Sequence, residues 1–395
     1  MIEKCFYTDS YLTKWDTKIN EIIQRDDKFL ITLEKSYFYP GGGGQPSDRG
    51  TIDDIKVLDV LEEGNKIYHV LNKLPNEKKV LCKIDFKRRF SNMQQHTGEH
   101  ILAATFYKLY QGVSNAFHMG EEYVSIDISL PEVTLDMLRK VEDEVNQIIY
   151  TDVEVKTYMV DLEKSKSIPL RKQPKVSEDL RIVEIEGVDF CPCCGTHVNR
   201  TGEVGILKIL KTEKSKGATR IYFQCGRKAL EDYRKKHEVI SDLNERFSAN
   251  ENTLIEKVNK YVEDFRKLEL EIKELKQEIS LKEAKGLVKE AQGPVVYGCY
   301  ENKKIDEIMF IAKQVFLKGQ YIFIGISLES KKIFISHNTD LIIHCGNLLK
   351  EEIKTFNAKG GGSPTQAQGS FENTAELLKC GDNLRRMCRE MEDIQ

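Results

Sequence analysis

The segment His96-Thr97-Gly98-Glu99-His100 places two histidines four residues apart. If the segment is helical, both imidazoles lie on one face about one turn apart and reach the same metal ion. A later segment, Cys193-Cys194-Gly195-Thr196-His197, supplies a thiol and a further imidazole. Nitrogen and sulfur ligands suit zinc better than magnesium or calcium, which prefer oxygen, while iron and copper stay open as alternatives. The two segments predict a zinc centre that the fold must assemble.

The residues alone leave three uses for such a centre. It could catalyse peptide hydrolysis, catalyse another reaction, or have a purely structural role. Glu99 gives the first segment the form His-x-x-Glu-His, the pattern of inverzincin metallopeptidases, in which the glutamate is the general base. That class takes a glutamate as its third ligand, whereas this chain offers a cysteine and a histidine. Four protein ligands are typical of structural zinc. The identity of the cysteine ligand is also open, because Cys191 and Cys194 are alternatives to Cys193.

Composition narrows the class of protein. The chain has 395 residues, which predicts about two to four domains. Its 60 Lys and Arg against 63 Asp and Glu give a formal charge of −3, so any RNA contact depends on local patches. The sequence has no run of about 18 apolar residues and no apolar signal-peptide core. Its ten dispersed cysteines are unlike a disulfide-rich secreted fold. We therefore expect a cytoplasmic protein without membrane association.

The predicted fold class is α+β multidomain, with four successive regions. Residues 1–86 contain short β-like runs and the turn Pro40-Gly41-Gly42-Gly43-Gly44, which predicts a β-barrel with a Gly-rich loop. Residues 87–235 mix helical and strand patterns and carry the zinc centre, with its histidine pair on a helix over about 93–109. Residues 236–292 predict a coiled-coil helical segment, and residues 293–395 a C-terminal α/β domain.

The helical segment carries a heptad pattern. Its apolar seam, spaced alternately by four and three, is formed by Leu254, Val258, Tyr261, Phe265, Leu268, Ile272, Leu275 and Ile279. This spacing predicts a coiled coil, and an amphipathic helix packed on its own domain is the alternative. Beyond the seam, strands are predicted at 295–300, 309–315, 321–326 and 332–336, and helices at 341–357 and 373–391. Gly360 to Gly362 are expected to form a phosphate-binding backbone nest or a flexible turn.

Three longer motifs resemble a known family. They are Phe38-Tyr39-Pro40-Gly41-Gly42-Gly43-Gly44-Gln45-Pro46-Ser47-Asp48-Arg49-Gly50, Met93-Gln94-Gln95-His96-Thr97-Gly98-Glu99-His100-Ile101-Leu102 and Cys193-Cys194-Gly195-Thr196-His197-Val198. In this order they resemble the editing module of alanyl-tRNA synthetases and, more closely, the freestanding alanyl-tRNA editing proteins of the AlaX type. The resemblance covers residues 1–235, and the rest resembles the long form with its DHH-associated domain. Cys194 departs from the family, which commonly has glycine there, and so does Gly41, where a larger residue is usual.

The resemblance implies an activity and the residues that carry it. It assigns the zinc ligands as His96, His100, Cys193 and His197. It implies deacylation in trans of tRNA(Ala) mischarged chiefly with serine and sometimes with glycine, and we expect a homodimer formed through the coiled coil and the C-terminal domain. A site that hydrogen-bonds the seryl hydroxyl separates serine from alanine more strongly than a steric pocket does. The polar candidates for this role and for catalysis are Glu99, Thr97, Asn115 and Thr196.

Contacts to tRNA are predicted from the Gly-rich loop and from local basic residues. The candidates are Gly42, Gly43, Gly44, Gln45, Arg88, Lys208 and Arg220, with Lys87 and Arg89 as further phosphate contacts. Such binding weakens as salt rises. The Gly-rich loop has an alternative interpretation as a plain tight hairpin. The alternatives to a deacylase are a metallopeptidase and a non-catalytic tRNA-binding module with structural zinc.

Overall fold

The computed structural model describes residues 4–120, 123–172, 180–291, 293–340 and 342–392. The chain divides into two compact units, Met1–Asp242 and Leu243–Gln395. Both units contain helices and sheets, so the predicted α+β class is confirmed. The predicted domain ends at 292 and 395 and the predicted helix start at 341 fall outside the described residues.

The first unit is built from fourteen strands and four helices in its described part. The strands are β1 (Lys14–Arg25), β2 (Lys28–Leu33), β3 (Gly50–Ile52), β4 (Ile55–Val57), β5 (Asp59–Glu63), β6 (Lys66–Leu71), β7 (Lys79–Ile84), β8 (Ser114–Met119), β9 (Val124–Ile128), β10 (Val155–Val160), β11 (Leu180–Ile185), β12 (Asp189–Pro192), β13 (Leu207–Ser215) and β14 (Ala218–Cys225). The helices are α1 (Phe86–Tyr110), α2 (Leu135–Thr151), α3 (Leu162–Ser165) and most of α4 (Gly226–Arg246), which continues past the end of the unit at Asp242.

The N-terminal strands form a nearly closed antiparallel sheet in the order β4-β3-β7-β1-β2-β6-β5. Side chains of β1 alternate between core and solvent, with Trp15, Thr17 and Ile19 pointing inward, as a half-buried strand requires. The two edge strands, β4 and β5, are consecutive in the chain and separated only by Leu58. The Leu58 N–H donates to the Val70 carbonyl of β6 at 2.8 Å. The sheet therefore curls so far that a single residue of the chain joins its two edge strands.

Helix α1 holds the central position in this unit. Asp85 caps it by accepting the Arg88 N–H at 3.1 Å, and Gln111 ends it in the left-handed conformation at φ +57°. It packs against a four-stranded sheet in the order β13-β14-β9-β8. At Gly98 an added Cβ would lie 2.3 Å from Cys225 Sγ of β14, so glycine permits this close approach. The helix predicted over about 93–109 is confirmed, and it begins earlier, at Phe86.

A buried ion pair joins α1 to the chain that follows the Gly-rich turn. Arg89 Nε donates to both carboxylate oxygens of Asp48, at 3.0 and 2.9 Å. The Arg89 guanidinium also donates to the carbonyls of Ser10 at 2.8 Å and Tyr37 at 2.6 Å. Both charged side chains are fully buried. The prediction that Arg89 contacts phosphate is therefore wrong, because its donors are used inside the protein.

A small three-stranded sheet positions the cysteine segment beside α1. The order is β10-β11-β12, all antiparallel, with Val183 of β11 opposite Cys191 of β12. Val183 and Ile185 are buried in the same core as Leu102 and Phe106 of α1. Since β12 ends at Pro192, Cys193 is the first residue past the strand and lies beside α1.

The second unit contains a five-stranded sheet between helices. Its described elements are α5 (Leu254–Glu290), β15 (Val295–Tyr300), α6 (Ile305–Phe316), β16 (Ile322–Ser327), β17 (Lys332–His337), α7 (Cys345–Glu352), β18 (Ala358–Gly362), β19 (Gln366–Phe371) and α8 (Thr374–Glu392). The order is β15-β16-β17-β19-β18, with β15 and β16 parallel and the other pairs antiparallel. One face packs on α6, and the other on α7 and α8.

Two predictions for this unit are wrong. The strand predicted at 309–315 is part of α6, because Ile308, Ile311 and Val315 recur at helical spacing and are all fully buried on one face. Gly360 to Gly362 form neither a nest nor a flexible turn, since they lie in β18 and pair with β19. At Gly362 an added Cβ would lie 2.2 Å from the Gln366 carbonyl oxygen, so the glycines permit close strand contact.

Helix α5 carries the predicted heptad seam. Phe265 and Ile272 are each 53% exposed, whereas Ser280 and Ala284 near the end of the helix are buried. Ala284 belongs to the core beneath α6. Packing on its own domain therefore accounts for the end of α5, and pairing along the exposed seam stays a prediction. Within the described residues, every helix is too short or too polar to cross a bilayer.

Candidate metal centre

Four side chains converge between α1 and the segment that follows β12. His96 and His100 lie one turn apart on α1 and are each 2% exposed. Cys193 Sγ is 3.4 Å from His96 Nε2 and 3.4 Å from His197 Nε2. The ligand atoms of all four residues lie within 4.8 Å of one another. A tetrahedron with Zn–N of about 2.0 Å and Zn–S of about 2.3 Å has N–S edges of about 3.5 Å. The predicted ligands therefore form a group that could hold a metal ion.

Each imidazole of this group forms a hydrogen bond at Nδ1 with a residue that is not one of the four ligands. The contacts are His96 Nδ1 to Gln45 Oε1 at 2.8 Å, His100 Nδ1 to Asp189 Oδ2 at 3.0 Å, and His197 Nδ1 to Thr97 Oγ1 at 3.2 Å. Metal-binding histidines commonly use their second ring nitrogen in this way, which fixes the tautomer and the ring orientation. The geometry leaves Nε2 of each ring free to act as the ligand.

The outer partners are themselves held in place. Arg171 donates to both oxygens of Asp189, at 2.7 and 3.1 Å. Gln45 exchanges two hydrogen bonds with Thr196: its Nε2 donates to Thr196 Oγ1 at 2.8 Å, and its Oε1 accepts the Thr196 N–H at 3.1 Å. The ligand orientation is therefore fixed by a network of buried side chains.

Two glycines make room for His96. An added Cβ at Gly195 would lie 2.1 Å from Cε1 of that imidazole, and one at Gly44 would lie 2.7 Å from the Phe117 side chain. Phe117 in turn stacks on His96, with ring centroids 5.0 Å apart. All four glycines from Gly41 to Gly44 have positive φ, a conformation that glycine adopts without strain. The Gly-rich loop is thus a tight turn that also supports the centre.

The electrostatics of the group suit a cation. Burial raises the pKa of the Cys193 thiol, but the neighbouring His96 and His197 and a hydrogen bond from His100 outweigh it and hold this pKa well below its ordinary value. Burial and the adjacent His96 lower the pKa of His197 to about 3. Burial also lowers the pKa of His100, yet hydrogen bonds to Asp189 and Cys193 raise it well above its ordinary value. The group holds a thiolate and a neutral His197, which are metal-binding forms.

The competing cysteines are placed differently. Cys191 lies near His100 and Asp189, but burial raises the pKa of its thiol, and Arg171 already engages Asp189. Cys194 is exposed and interacts with the Tyr7 hydroxyl. Cys193 is therefore the thiol best placed to join the three imidazoles.

The group forms one wall of an open cleft with a volume of about 520 Å³. Its lining is mixed: the metal group supplies His96, His100 and Cys193, and the polar residues include Glu99, Ser114, Asn115, Arg171, Lys172 and Arg181. Gly43, Phe117 and Leu180 complete part of the wall. This volume falls in the ordinary range of small-ligand sites.

The four polar candidates from the sequence separate into two pairs. Glu99 and Asn115 line the cleft. Glu99 is 6% exposed and accepts a hydrogen bond from Ser114 Oγ at 3.3 Å, so it is a buried carboxylate and not a solvated helix residue. Thr97 and Thr196 are fully buried and contact His197 and Gln45 instead, which gives them positioning roles.

The predicted tRNA contacts are also spread over different places. Gly43 lines the cleft, while Gly42 and Gln45 bond to each other through their backbones and Gly44 packs on Phe117. Gln45 is 2% exposed and lies behind His96. Among the basic candidates, Lys208 pairs with Glu142 at 2.6 Å and Arg220 with Asp127 at 2.6 Å. Arg88 lies near the start of α1 and donates to the Ser47 carbonyl at 3.4 Å.

Three residues of the site were missed in the sequence. Asp189 and Arg171 hold His100, and Arg181 donates to the carbonyls of Cys193 and Gly195 at 2.9 and 2.8 Å. Asp189 stands two residues before Cys191, and a carboxylate beside a ligand segment is a usable sign of a histidine partner. Arg171 and Arg181 carry no such local sign, since their contacts arise only in the folded chain.

Comparisons with known proteins agree with the motifs. Residues 180–222 match the family described as "Threonyl and Alanyl tRNA synthetase second additional domain". The alanyl-tRNA editing protein AlaX-L of Pyrococcus horikoshii is 36% identical over 96% of this chain and 96% of its own length. The alanyl-tRNA editing protein Aarsd1-B of Xenopus laevis is 29% identical over 93% of this chain and 90% of its own. The alanine–tRNA ligase of Ignicoccus hospitalis is 31% identical over 72% of this chain but only 33% of its own.

Proposed function

The chain belongs to the family of alanyl-tRNA editing proteins, and on that premise we propose that it is a zinc-dependent deacylase that acts in trans on tRNA(Ala) mischarged with serine. The observation that carries the proposal is the opening of the His96, His100 and Cys193 group onto a cleft that also contains Glu99 and Asn115. Glycyl-tRNA(Ala) is the second proposed substrate. Because charged tRNA is used in the cytoplasm, we propose that the protein works there.

The donor set supports zinc as the metal. Three imidazoles and one thiolate are borderline-soft ligands in tetrahedral spacing, and the described group offers no all-oxygen shell for magnesium or calcium. The ligands proposed are His96, His100, Cys193 and His197. A zinc ion at this position would supply a Lewis acid beside the ester carbonyl.

The residues of the cleft support an ester substrate. Glu99 is adjacent to the ligand His100 on α1 and presents a buried carboxylate to the cleft, so we assign it as the base that takes a proton from attacking water. Asn115 is exposed at the cleft on β8, and its amide both donates and accepts. It is the proposed partner of the seryl hydroxyl, a contact that alanine cannot make.

The two alternatives have less support. A metallopeptidase of the His-x-x-Glu-His type needs a glutamate as third ligand, whereas the described group offers Cys193 and His197 in that place. A structural zinc is usually closed off on all sides, whereas His96, His100 and Cys193 line an open cleft. The cleft therefore favours catalysis over a structural role.

Deacylation of Ser-tRNA(Ala) and Ala-tRNA(Ala), measured side by side, tests the proposal. We expect the seryl ester to be hydrolysed far faster than the alanyl ester, and His100→Ala to abolish the difference by removing a ligand. Zinc content, measured on the same preparations, should be one per chain in the wild type and reduced in the variant.

Equal hydrolysis of both esters, or none above the rate in buffer, overturns the deacylase. Cleavage of a peptide library by the wild type but not by His100→Ala would restore the metallopeptidase. If Cys193→Ala keeps a full zinc per chain, the ligand assignment is wrong.

A further inference from the structure

A second cavity of about 410 Å³ lies where the first turns of α1 and α4 converge. Lys87, Arg88 and Ser91 line it from α1, and Arg227 and Lys228 from α4. Both helices are long, 25 and 21 residues, and each directs the positive end of its dipole toward the cavity. The site described above makes no use of this cavity.

A buried amide without a partner lies in the wall of this cavity. Asn92 is 4% exposed, and its Nδ2 has no hydrogen-bond acceptor among the described residues. Asn92 also lines the cavity. A buried N–H group without an acceptor is unfavourable, so the Asn92 amide is a donor available to an acceptor that enters the cavity.

The charge balance of the cavity selects an anion. Four basic side chains line it, against the carboxylates of Asp85 and Glu231. Asp85 accepts the Arg88 N–H as the cap of α1, and Glu231 pairs with Arg227 at 2.9 Å. Lys228 Nζ donates to the Gly120 carbonyl at 3.3 Å. Among the described residues of the lining, four basic side chains stand against two carboxylates, and phosphate is the anion that such helix ends and lysines bind.

The cavity is a near neighbour of the metal cleft. Asn92 precedes His96 by four residues on α1, a rise of about 6 Å. The Gly-rich turn separates the two spaces, since Gly43 lines the cleft and Pro46 the cavity. Strand β8 also separates the cleft from the cavity, with Phe117 on the cleft side and Met119 on the cavity side. A strand of RNA with its 3′ end in the cleft would carry its preceding phosphates past this cavity.

We propose that this cavity, formed by Asn92, Lys87, Arg88 and Lys228, binds the phosphates of the last nucleotides of the RNA strand whose aminoacyl ester enters the metal cleft. The proposal rests on the proposed function, because it takes the ester to be that of a charged tRNA. Asn92 donates to a phosphate oxygen, and the basic side chains supply the charge.

Two substrates that share the ester but differ in phosphates test the site. Ser-tRNA(Ala) carries the phosphates, and 3′-O-seryl-adenosine has none. Full-length wild type is compared with Lys87→Ala/Lys228→Ala, with Asn92→Asp, which keeps the shape but replaces the donor by an acceptor, and with Lys140→Ala, an exposed lysine of α2 outside both cavities. Binding of uncharged tRNA(Ala) is measured over a range of salt, and inorganic phosphate is titrated separately.

We expect the double variant and Asn92→Asp to lose about 10- to 100-fold in kcat/KM on Ser-tRNA(Ala) and to hydrolyse seryl-adenosine as the wild type does. The slope of log affinity for tRNA against log salt should fall by about 1 to 2 in the double variant. Lys140→Ala should change neither quantity.

Equal losses on both substrates, or none on either, overturn the site, and so does a loss of inorganic phosphate binding with tRNA binding unchanged, which would mark a free-anion site. If the wild type hydrolyses neither ester, the proposed function fails, and the salt dependence of tRNA binding still decides the cavity. If Asn92→Asp does not fold, Lys87→Ala/Lys228→Ala decides the site.

Discussion

Single residues behind the ligands set the chemistry of the centre. Gln45, Asp189 and Thr97 each engage the Nδ1 of one histidine, so the ring orientation is determined by residues that do not touch the metal. Asp189 is the strongest of these partners, because it is charged and held by Arg171. The pH dependence of metal binding should report its contribution.

Zinc affinity is predicted to rise with pH through the neutral range. Burial lowers the pKa of His100, but Asp189 and Cys193 raise it well above its ordinary value, so the metal-free protein keeps this proton to a higher pH than an ordinary histidine does. Zinc binding must release the proton, and affinity should therefore increase with pH, with a slope of up to about tenfold per pH unit, over the range below the raised pKa of His100. Competition with a fluorescent chelator at each pH measures this slope.

Asp189→Asn provides the comparison. Without the carboxylate the main contact that raises the pKa of His100 is removed, so the affinity should rise less steeply with pH than in the wild type. Asp59→Asn, which removes the partner of Arg49 at the surface, should keep the wild-type slope. An unchanged slope in Asp189→Asn would show that Asp189 does not control the proton.

Glu99 is predicted to act in the chemical step and not in metal binding. Glu99→Gln keeps the size of the side chain and its contact with Ser114 but removes the base. Deacylation of Ser-tRNA(Ala) should fall by about 10² to 10⁴ in kcat, with KM and zinc content near the wild-type values. Loss of zinc from this variant, or full activity, would contradict the assignment.

At the scale of elements, α1 depends on one buried ion pair. Asp48 also accepts the Tyr39 N–H at 2.7 Å, so it holds the chain that enters the Gly-rich turn as well as Arg89. Asp48→Ala leaves the Arg89 guanidinium buried without its partner and should lower the free energy of unfolding by about 3–5 kcal/mol. Urea denaturation followed by circular dichroism measures the loss.

The surface pair Glu21 and Lys66 supplies the matched control. Glu21→Ala removes a carboxylate from an exposed ion pair, and we expect little change in stability. A similar small effect from Asp48→Ala would mean that Arg89 finds other acceptors and that the ion pair is not what joins α1 to the turn.

The sequence predicts those elements whose pattern is local. The spacing of the apolar residues over about 93–109 was sufficient to predict α1, and the segment from Cys193 to His197 indicated the other half of the centre. Local pattern failed at 309–315, where a short apolar run suits a strand or a helix equally well and only its neighbours Ile305 and Ile308 reveal the helical spacing. It failed again at Gly360 to Gly362, because pairing with β19 is a contact with another part of the chain.

The site shows the same division. Residue types and spacing indicated a zinc centre, and the family resemblance selected its four ligands, but the partners Gln45 and Asp189 were not predicted, since Gln45 reaches His96 across 51 positions of sequence and Asp189 reaches His100 across 89. Thr97 and Thr196 were predicted at the substrate because they are polar and adjacent to ligands. In the folded chain both side chains are buried, because α1 packs against its sheets.

At the scale of the whole molecule, the exposed seam of α5 predicts a homodimer. Apolar side chains at Tyr261, Phe265, Leu268, Ile272 and Leu275 are each at least half exposed, and a coiled coil with a second copy would cover them. Sedimentation velocity should show a dimer for the wild type and a monomer for Phe265→Glu/Ile272→Glu.

Lys267→Glu/Lys273→Glu places two acidic residues on the same helix away from the seam and should leave the dimer intact. A monomeric wild type would overturn the prediction, and so would a dimer that survives the seam substitutions. Circular dichroism on all variants separates loss of pairing from loss of folding.

The closure of the N-terminal sheet limits how copies of the chain associate. Edge strands with free N–H and C=O groups are where foreign strands add and fibrous aggregates start. Here β4 and β5 are the two edges, and Leu58 joins them directly while bonding to β6. Strand addition at these edges is therefore sterically disfavoured, and this sheet should stay free of intermolecular β-pairing even at the high concentrations at which open sheets precipitate.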